Sequence, residues 1–440
     1  MRGGEGTAVV VGSGPNGLAA AITLAEAGLH VRVLEAADSP GGGLRSFRNE
    51  RFGTLHDHCS AVHPLARISP FFRRLGLERE VRFVTPPRAW AQAMGAGAAE
   101  PSILSSLTGS AARAAASFAG VAAHAMLPPA SPLALGTGAL LGGAGLLSGW
   151  PIPVGGSQAI ADALVRRAES LGVLIECGRR VDPADLSAEL EAADLVLWDT
   201  DPATAHRAVS PAAPSSSRRY GPGAAKADFV TSAPIPWRDQ RLRRAGTVHL
   251  GGTWGEVARA ERDVNAGRLP AHPFSLVSQP SLFDPARAPE GLHTVWAYAH
   301  VPHGSSADSA EVITREIERF APGFAATVLD VTTTTAADFP AYNPNCVGGD
   351  IASGATRGWQ LLTSGTLRTR GPVSGSGPVS GRGHLFRTGL QRGLLAAPWA
   401  LPREGWFLCS GATPPGPGVH GMSGHIAARL ALRELGRRRG

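Results

Sequence analysis

The chain has 440 residues, of which 43% are hydrophobic and 18% charged. That is enough for two or three domains around large apolar cores, and it excludes a disordered chain. The formal net charge is +7, carried almost wholly by arginine, with Lys226 the single lysine. A phosphate loop of the Gly-Lys-Ser/Thr kind is therefore excluded, and any lysine chemistry has one candidate. Basic runs such as Arg241–Arg244 and Arg437–Arg439 are short and lack interleaved aromatics, which argues against a nucleic-acid partner. Cys59, Cys177, Cys346 and Cys409 stand far apart, without the CxxC spacing of a redox disulfide or zinc knuckle.

In chain order, Thr7–Gly12 reads as a β-rich run. The turn Gly12-Ser13-Gly14-Pro15-Asn16-Gly17 follows, then a helix over Leu18–Ala27 stopped by Gly28. His30–Leu34 is a second strand, ending at Glu35. This is a βαβ opening with GxGxxG between strand and helix. Gly12 permits the tight turn, Gly14 lets a pyrophosphate approach the backbone, and Gly17 lets helix and sheet pack closely. The helix N-terminus offers free N–H groups and the positive end of its dipole to phosphate. Glu35, 23 residues after Gly12, can accept both ribose hydroxyls, and an acid there disfavours NADP. No signal peptide precedes this unit, so a cytoplasmic location is expected.

Residues 114–161 hold no Asp, Glu, Lys or Arg. Glycines interrupt the apolar run Pro132–Leu147, which is too weak for a spanning helix. It reads as buried or greasy surface, compatible with peripheral contact at the inner face of a membrane. Ser157 is placed to N-cap a helix over Gln158–Leu171. Strands are expected at Leu174–Val181 and Leu195–Trp198, the latter followed by the turn Asp199–Pro202. Residues 216–384 hold β-rich runs, including Lys226–Thr231, Val248–Leu250 and His293–Val301, and a helix at Ala310–Phe320. Near the end, Trp406–Ser410 reads as a strand and Gly411–Met422 as a loop entering a helix that runs through Leu435.

After Glu35 comes AADSPGGGLRS, beginning at Ala36. Its Gly42-Gly43-Leu44-Arg45 stretch resembles the second fingerprint of the FAD-dependent amine oxidase and phytoene desaturase superfamily. Most members place an arginine directly after the Gly-Gly pair; here Arg45 is the nearest cation, and the phosphate-neutralising role passes to it. In that superfamily the strand–Gly–helix element near the C-terminus closes over the flavin, which implicates Gly411, Ala412, Gly418, Val419, His420 and Met422. The end of the Leu174–Val181 strand meets the adenine there, which implicates Val181. The blocks AYNPNCVGGDI, TPPGPGVHGM, HDHCSAVHPLA and WPIPVGGSQAIADAL narrow the likeness to bacterial phytoene dehydrogenase-like NAD(P)/FAD oxidoreductases, relatives of pyridine nucleotide-disulphide oxidoreductase domain-containing protein 2.

The resemblance implies an α/β protein with a split Rossmann-like FAD-binding domain (residues 1–75, 151–215 and 390–440). A second, α+β substrate domain would take residues 76–150 and 216–389. Two departures fall in the latter: a shortened stretch between Trp90 and Phe118, and a Gly/Ser-rich insert at about 365–389. Lys226, ahead of Pro234 and Trp237, matches a superfamily lysine that holds a water beside flavin N5. His56, Asp57, His58 and His63 fall where the superfamily chain passes the flavin ring. His56 could carry a proton there, and Tyr342 could wall the ring. His56 and His58 also have metal-ligand spacing, but no third ligand is evident and no metal is expected.

The expected activity is hydride removal by FAD from a hydrophobic substrate, isoprenoid-like or an amine. Three rival readings are a non-catalytic lipid-binding protein that dispenses with flavin, as in GDP-dissociation inhibitors, a flavin-bound regulatory protein whose chamber has collapsed, and a plain NAD dehydrogenase. The first expects a degraded phosphate loop, the second a yellow protein that no substrate reduces, and the third leaves the C-terminal loop unexplained.

Overall fold

The computed structural model describes residues 6–94, 103–210, 218–358, 360–365 and 398–440. Most of the Gly/Ser-rich insert lies outside the described residues. The described residues are α/β and build two large sheets and two two-stranded ribbons, Ser46–Arg48 with Leu55–Asp57 and Phe83–Val84 with Ile152–Pro153. The first is parallel, in the order Trp406–Leu408, Leu195–Trp198, Thr7–Val11, His30–Leu34, Leu174–Glu176. Its central strands, Thr7–Val11 and Leu195–Trp198, read as near-continuous apolar runs because both faces are covered. Ala8, Val10, Val33 and Leu197 pack against the helices Pro15–Glu26, Gln158–Ser170 and Met422–Arg439. Val9, Val11, Val196 and Trp198 face the opposite way, toward Leu190, Ala205 and Ala208. The two ends of the chain meet because residue 424 is glycine: a Cβ there would collide with the Asn16 carbonyl.

The second sheet runs Val328–Thr334, Gly223–Thr231, His293–Val301, Ser275–Ser278, Ala245–Leu250, Arg88–Ala93. It is antiparallel except for its last pair. Side chains alternate between its faces. Ala227, Phe229, Val277, Val295 and Ala297 pack on Val312, Ile313 and Ile317 of the helix Ser309–Phe320. The register puts a polar and aromatic set on the other face. Lys226 stands opposite Tyr298 and Asp228 opposite Trp296. Tyr298 is opposite Leu276, Leu276 opposite His249, and His249 opposite Gln92.

A buried ion cluster ties the loops between the sheets. Arg287 donates to Asp57 Oδ2 at 2.6 Å and to the Pro153 carbonyl at 3.0 Å. Its Nε lies 3.3 Å from Asp284 Oδ2, which also accepts the Gly155 N–H at 2.8 Å. Asp57 Oδ1 accepts the Ser46 hydroxyl at 2.7 Å and the Ser157 N–H at 2.6 Å.

Several expected boundaries move. The strand from Leu174 ends at Glu176, not Val181, and that from Trp406 ends at Leu408. Ser157 does not cap its helix: its backbone is already helical, and its hydroxyl donates to the Ser60 carbonyl at 2.6 Å. The terminal helix runs on to Arg439. Beyond the expected Asp199–Pro202 turn lies a short helix, Pro202–Val209, with Asp201 as its cap. The glycine-rich run forms a helix, Pro132–Ser148: Ser131 caps the Ala134 N–H, and Ala134, Gly138, Leu141 and Ala144 make one buried stripe. Its outer face leaves Leu146 and Leu147 each 85% exposed. No helix among the described residues is long and apolar enough to cross a membrane.

Candidate functional site

The C-terminal edge of the parallel sheet opens on a cavity of about 780 Å³, within the size range of cofactor pockets. Gly12, Ser13, Gly14, Pro15, Glu35, Ala36, Gly42, Gly43, Arg45, Val181 and Tyr342 all line it. Val181 reaches it from a loop rather than from a strand end. Gly12 turns the chain with φ of 99°. A side chain at Gly17 would collide with the Gly12 carbonyl, and one at Gly14 would come within 2.6 Å of Asp199 Oδ2. Gly14 is thus required by a neighbouring carboxylate as well as by room for phosphate.

Glu35 ends its strand buried. Its Oε2 accepts the Ser13 N–H at 2.9 Å and the Ser13 hydroxyl at 2.5 Å, and its Oε1 accepts the Ala37 N–H at 2.8 Å. Arg45 folds over the Tyr342 ring, 4.4 Å from its centroid, and donates to the carbonyls of Gly42 and Tyr342. The Tyr342 hydroxyl donates to the Gly42 carbonyl at 2.9 Å. Burial, above all, raises the pKa of that phenol.

Other expected residues sit elsewhere. Asn16, Gly17 and Leu44 are not among the cavity walls, and neither are Gly411, Ala412, Gly418, Val419, His420 and Met422. The His420 carbonyl accepts the Ser69 hydroxyl at 2.6 Å, and its ring Nδ1 accepts the Met422 N–H at 3.0 Å. Burial holds that imidazole near 4. Among the described residues no group of three His, Cys, Asp or Glu side chains is placed to hold a metal ion.

Lys226 and His56 come together with Asp228 between them, and none of the three is a cavity wall. A run of rings joins them to the cavity. Phe47 lies 5.4 Å from His56 and 4.5 Å from His58, and His58 stacks on Tyr342 at 4.1 Å. Burial, then the Lys226 charge, holds the His58 imidazole near 4, so it is neutral at ordinary pH. Burial raises the Cys59 thiol to about 11.

Sequence reasoning missed Asp199, Asp228, Arg179 and Arg180. Asp199 follows the LVLW strand and is buried in the cavity, where its Oδ2 accepts the Gly17 N–H at 2.8 Å. Burial is the main cause of its raised pKa, about 7. The Gly17 N–H opposes that rise, and the Glu35 carboxylate adds to it. Arg179 and Arg180 follow a strand end and line the cavity. Their position in GRRV was the available signal.

The donor set fits a dinucleotide. The glycine turn and helix N-terminus can face a diphosphate, Glu35 a ribose, and Arg45 and Arg180 the phosphate charge, whereas Arg179 is paired to Glu176 and Glu189. The fold and this cavity define a Rossmann-type dinucleotide-binding architecture, and residues 10–75 match the family model of the NAD(P)-binding Rossmann-like domain.

The chain is similar to L-amino acid oxidase Lm29 of Lachesis muta, with 53% identity over 86 residues. That stretch is 19% of this chain and 16% of the relative, so the likeness reaches less than a fifth of either protein. Among solved structures, the chain resembles an oxidoreductase from Methanosarcina mazei, with a TM-score of 0.58 and 15% identity over 97% of this chain and 100% of that one. It also resembles a candidate protoporphyrinogen oxidase from Exiguobacterium sp. 255-15, with a TM-score of 0.55 and 15% identity over 98% and 99% of the two chains. These structural likenesses describe the fold.

Proposed function

We propose that this protein is an FAD-dependent oxidoreductase that removes hydride from a largely apolar substrate. The carrying observation is that one cavity gathers the glycine turn, Glu35, the Gly42-Gly43 turn and Arg45, and ends against Tyr342 and the ring path to His56 and Lys226. The likeness to an L-amino acid oxidase supports the oxidoreductase class. When bound, the flavin supplies the hydride acceptor.

The chain's own residues do the rest. The glycine turn and helix N-terminus bind the diphosphate, and Glu35 orients the ribose. Arg45 neutralises phosphate charge while its stack on Tyr342 fixes that ring as a wall. His58 and Phe47 exclude water between the wall and His56. Lys226 holds a proton at Nζ, where it would orient a water near the reacting centre.

Peripheral membrane contact is part of the same reading. It is supported by the uncharged Pro132–Ser148 helix and its exposed leucines.

The test is a visible spectrum of the purified chain with FAD, before and after anaerobic addition of amines, alcohols and isoprenoids. A bound yellow chromophore bleached by one class supports the proposal. A chain that takes up no FAD overturns it. Bound FAD that no substrate reduces favours the binding-protein alternative. Flotation with anionic vesicles tests the membrane contact, which Leu146→Ser with Leu147→Ser should abolish.

A further inference from the structure

Lys226 and Asp228 are two residues apart on the Gly223–Thr231 strand, so their side chains leave the same face of the sheet. Both are buried, at 3% and 4% exposure. The Lys226 ammonium is ion-paired to Asp228 Oδ2. The other oxygen, Oδ1, lies 3.8 Å from His56 Nδ1, and neither atom has a hydrogen-bond partner. Across the ring, Nε2 shares a 2.9 Å hydrogen bond with Thr54 Oγ1. One carboxylate therefore stands between an ammonium and an imidazole in a closed, low-dielectric place.

We infer that Asp228 is a positioning residue that fixes where protons are held at the buried end of the ring path: on Lys226 Nζ through one oxygen and on His56 Nδ1 through the other. Its part in turnover rests on the flavin oxidoreductase reading; the proton placement does not. A carboxylate accepts hydrogen bonds and donates none, so the imidazole nitrogen facing it is the one that carries hydrogen. Nε2 then accepts the Thr54 hydroxyl hydrogen. The carboxylate supplies the counter-charge that a buried ammonium needs.

The titratable groups that feel both members of this pair are His58 and Cys59, which also feel Arg45 and Asp57. From the flanking strands, Tyr298 and Trp296 face it on one side and Thr334 and Thr332 on the other. Phe47 stands between His56 and His58 and has no exchangeable proton, so a proton on His56 is not passed along the rings to Tyr342.

The single lysine makes the test direct. The full chain labelled with 15N-lysine gives one side-chain nitrogen resonance, and labelled histidine reports each ring's tautomer, with His56 assigned through His56→Gln. In Asp228→Asn the Lys226 resonance should leave its ammonium position at least one pH unit lower than in the unmodified protein. The His56 Nδ1–H signature should be lost. Asp228→Glu should restore both. Equal Lys226 midpoints in folded Asp228→Asn and unmodified protein overturn the inference.

A second readout uses FAD-loaded protein, photoreduced without substrate and mixed with air. The midpoint of the reoxidation pH profile should move by one pH unit or more in Asp228→Asn, and the profile should flatten in His56→Gln. Profiles unchanged in both variants overturn the role in turnover. Should Asp228→Asn fail to fold, His56→Gln decides by the same profile. A chain that binds no flavin overturns the oxidoreductase reading, and the two resonances then decide the proton placement by themselves.

Discussion

Asp199 makes a quantitative prediction. Its carboxylate is buried against the glycine turn, accepts one N–H from Gly17, and feels Glu35 nearby. Burial, chiefly, moves its pKa from an ordinary 3.8 to about 7. An acid raised in the folded state disfavours its own ionisation there. Its effect on stability is absent at pH values below about 4, where both states are protonated. The cost grows as pH rises from about 4 to 7, because the unfolded chain releases the proton first, and it is complete above about 7. At ~1.4 kcal/mol per pH unit, the full cost is up to ~4 kcal/mol. Asp199→Asn keeps an oxygen for the Gly17 N–H and removes the titration. Urea unfolding at pH 5, 6, 7 and 8 should show the variant gaining on the unmodified protein at each step, by up to ~4 kcal/mol at pH 8. Parallel stability curves would refute the argument. The same substitution should tighten FAD binding more at pH 8 than at pH 6, since it removes a negative charge from beside the proposed diphosphate site.

Acid should act in the opposite sense. His58, His63, His206 and His420 are held near 4 and His124 near 3, each chiefly by burial. Folded imidazoles stay neutral while unfolded ones take protons below about 6.5, so stability present above that pH is lost as it falls toward 4. A flat unfolding free energy between pH 6.5 and 4.5 would contradict this. Arg287→Met leaves Asp57 and Asp284 buried without their cation and should cost about 3–5 kcal/mol in urea unfolding; a cost under about 1 kcal/mol would show the cluster to be dispensable. Glu35→Gln weakens the acceptor for ribose and should raise the Kd for FAD about tenfold or more by calorimetry, given about 1.5–3 kcal/mol for a charged hydrogen bond.

The dinucleotide half of the fold was legible because its signals are local. Strand, glycine spacing, helix and terminal acid lie within Thr7–Glu35; the strand ends one residue early, at Val11, and the helix starts three residues early, at Pro15, and stops at Glu26. The Leu174 strand was read too long because Cys177 and Gly178 turn the chain away after Glu176. The Pro132–Ser148 helix was obscured by its glycines, which weaken helix propensity. It forms because Ser131 caps it and a stripe of small residues packs inward. Lys226 stood out as the single lysine. Its partner was visible only as an alternation, Lys-Ala-Asp, on a strand whose register no local pattern reveals. His56 reaches the pair from a different sheet ribbon, a meeting that only the tertiary fold makes. Asp199 was readable as a strand end, but its burial beneath the first helix was not.

The Arg287 cluster bears on how the molecule can move. It joins the paired strands Ser46–Arg48 and Leu55–Asp57, the start of the Gln158–Ser170 helix and the turn after Ser275–Ser278 through contacts sealed from water. Any motion that parted these segments would strand two buried carboxylates, Asp57 and Asp284, without their cation. The segments therefore travel as one rigid piece.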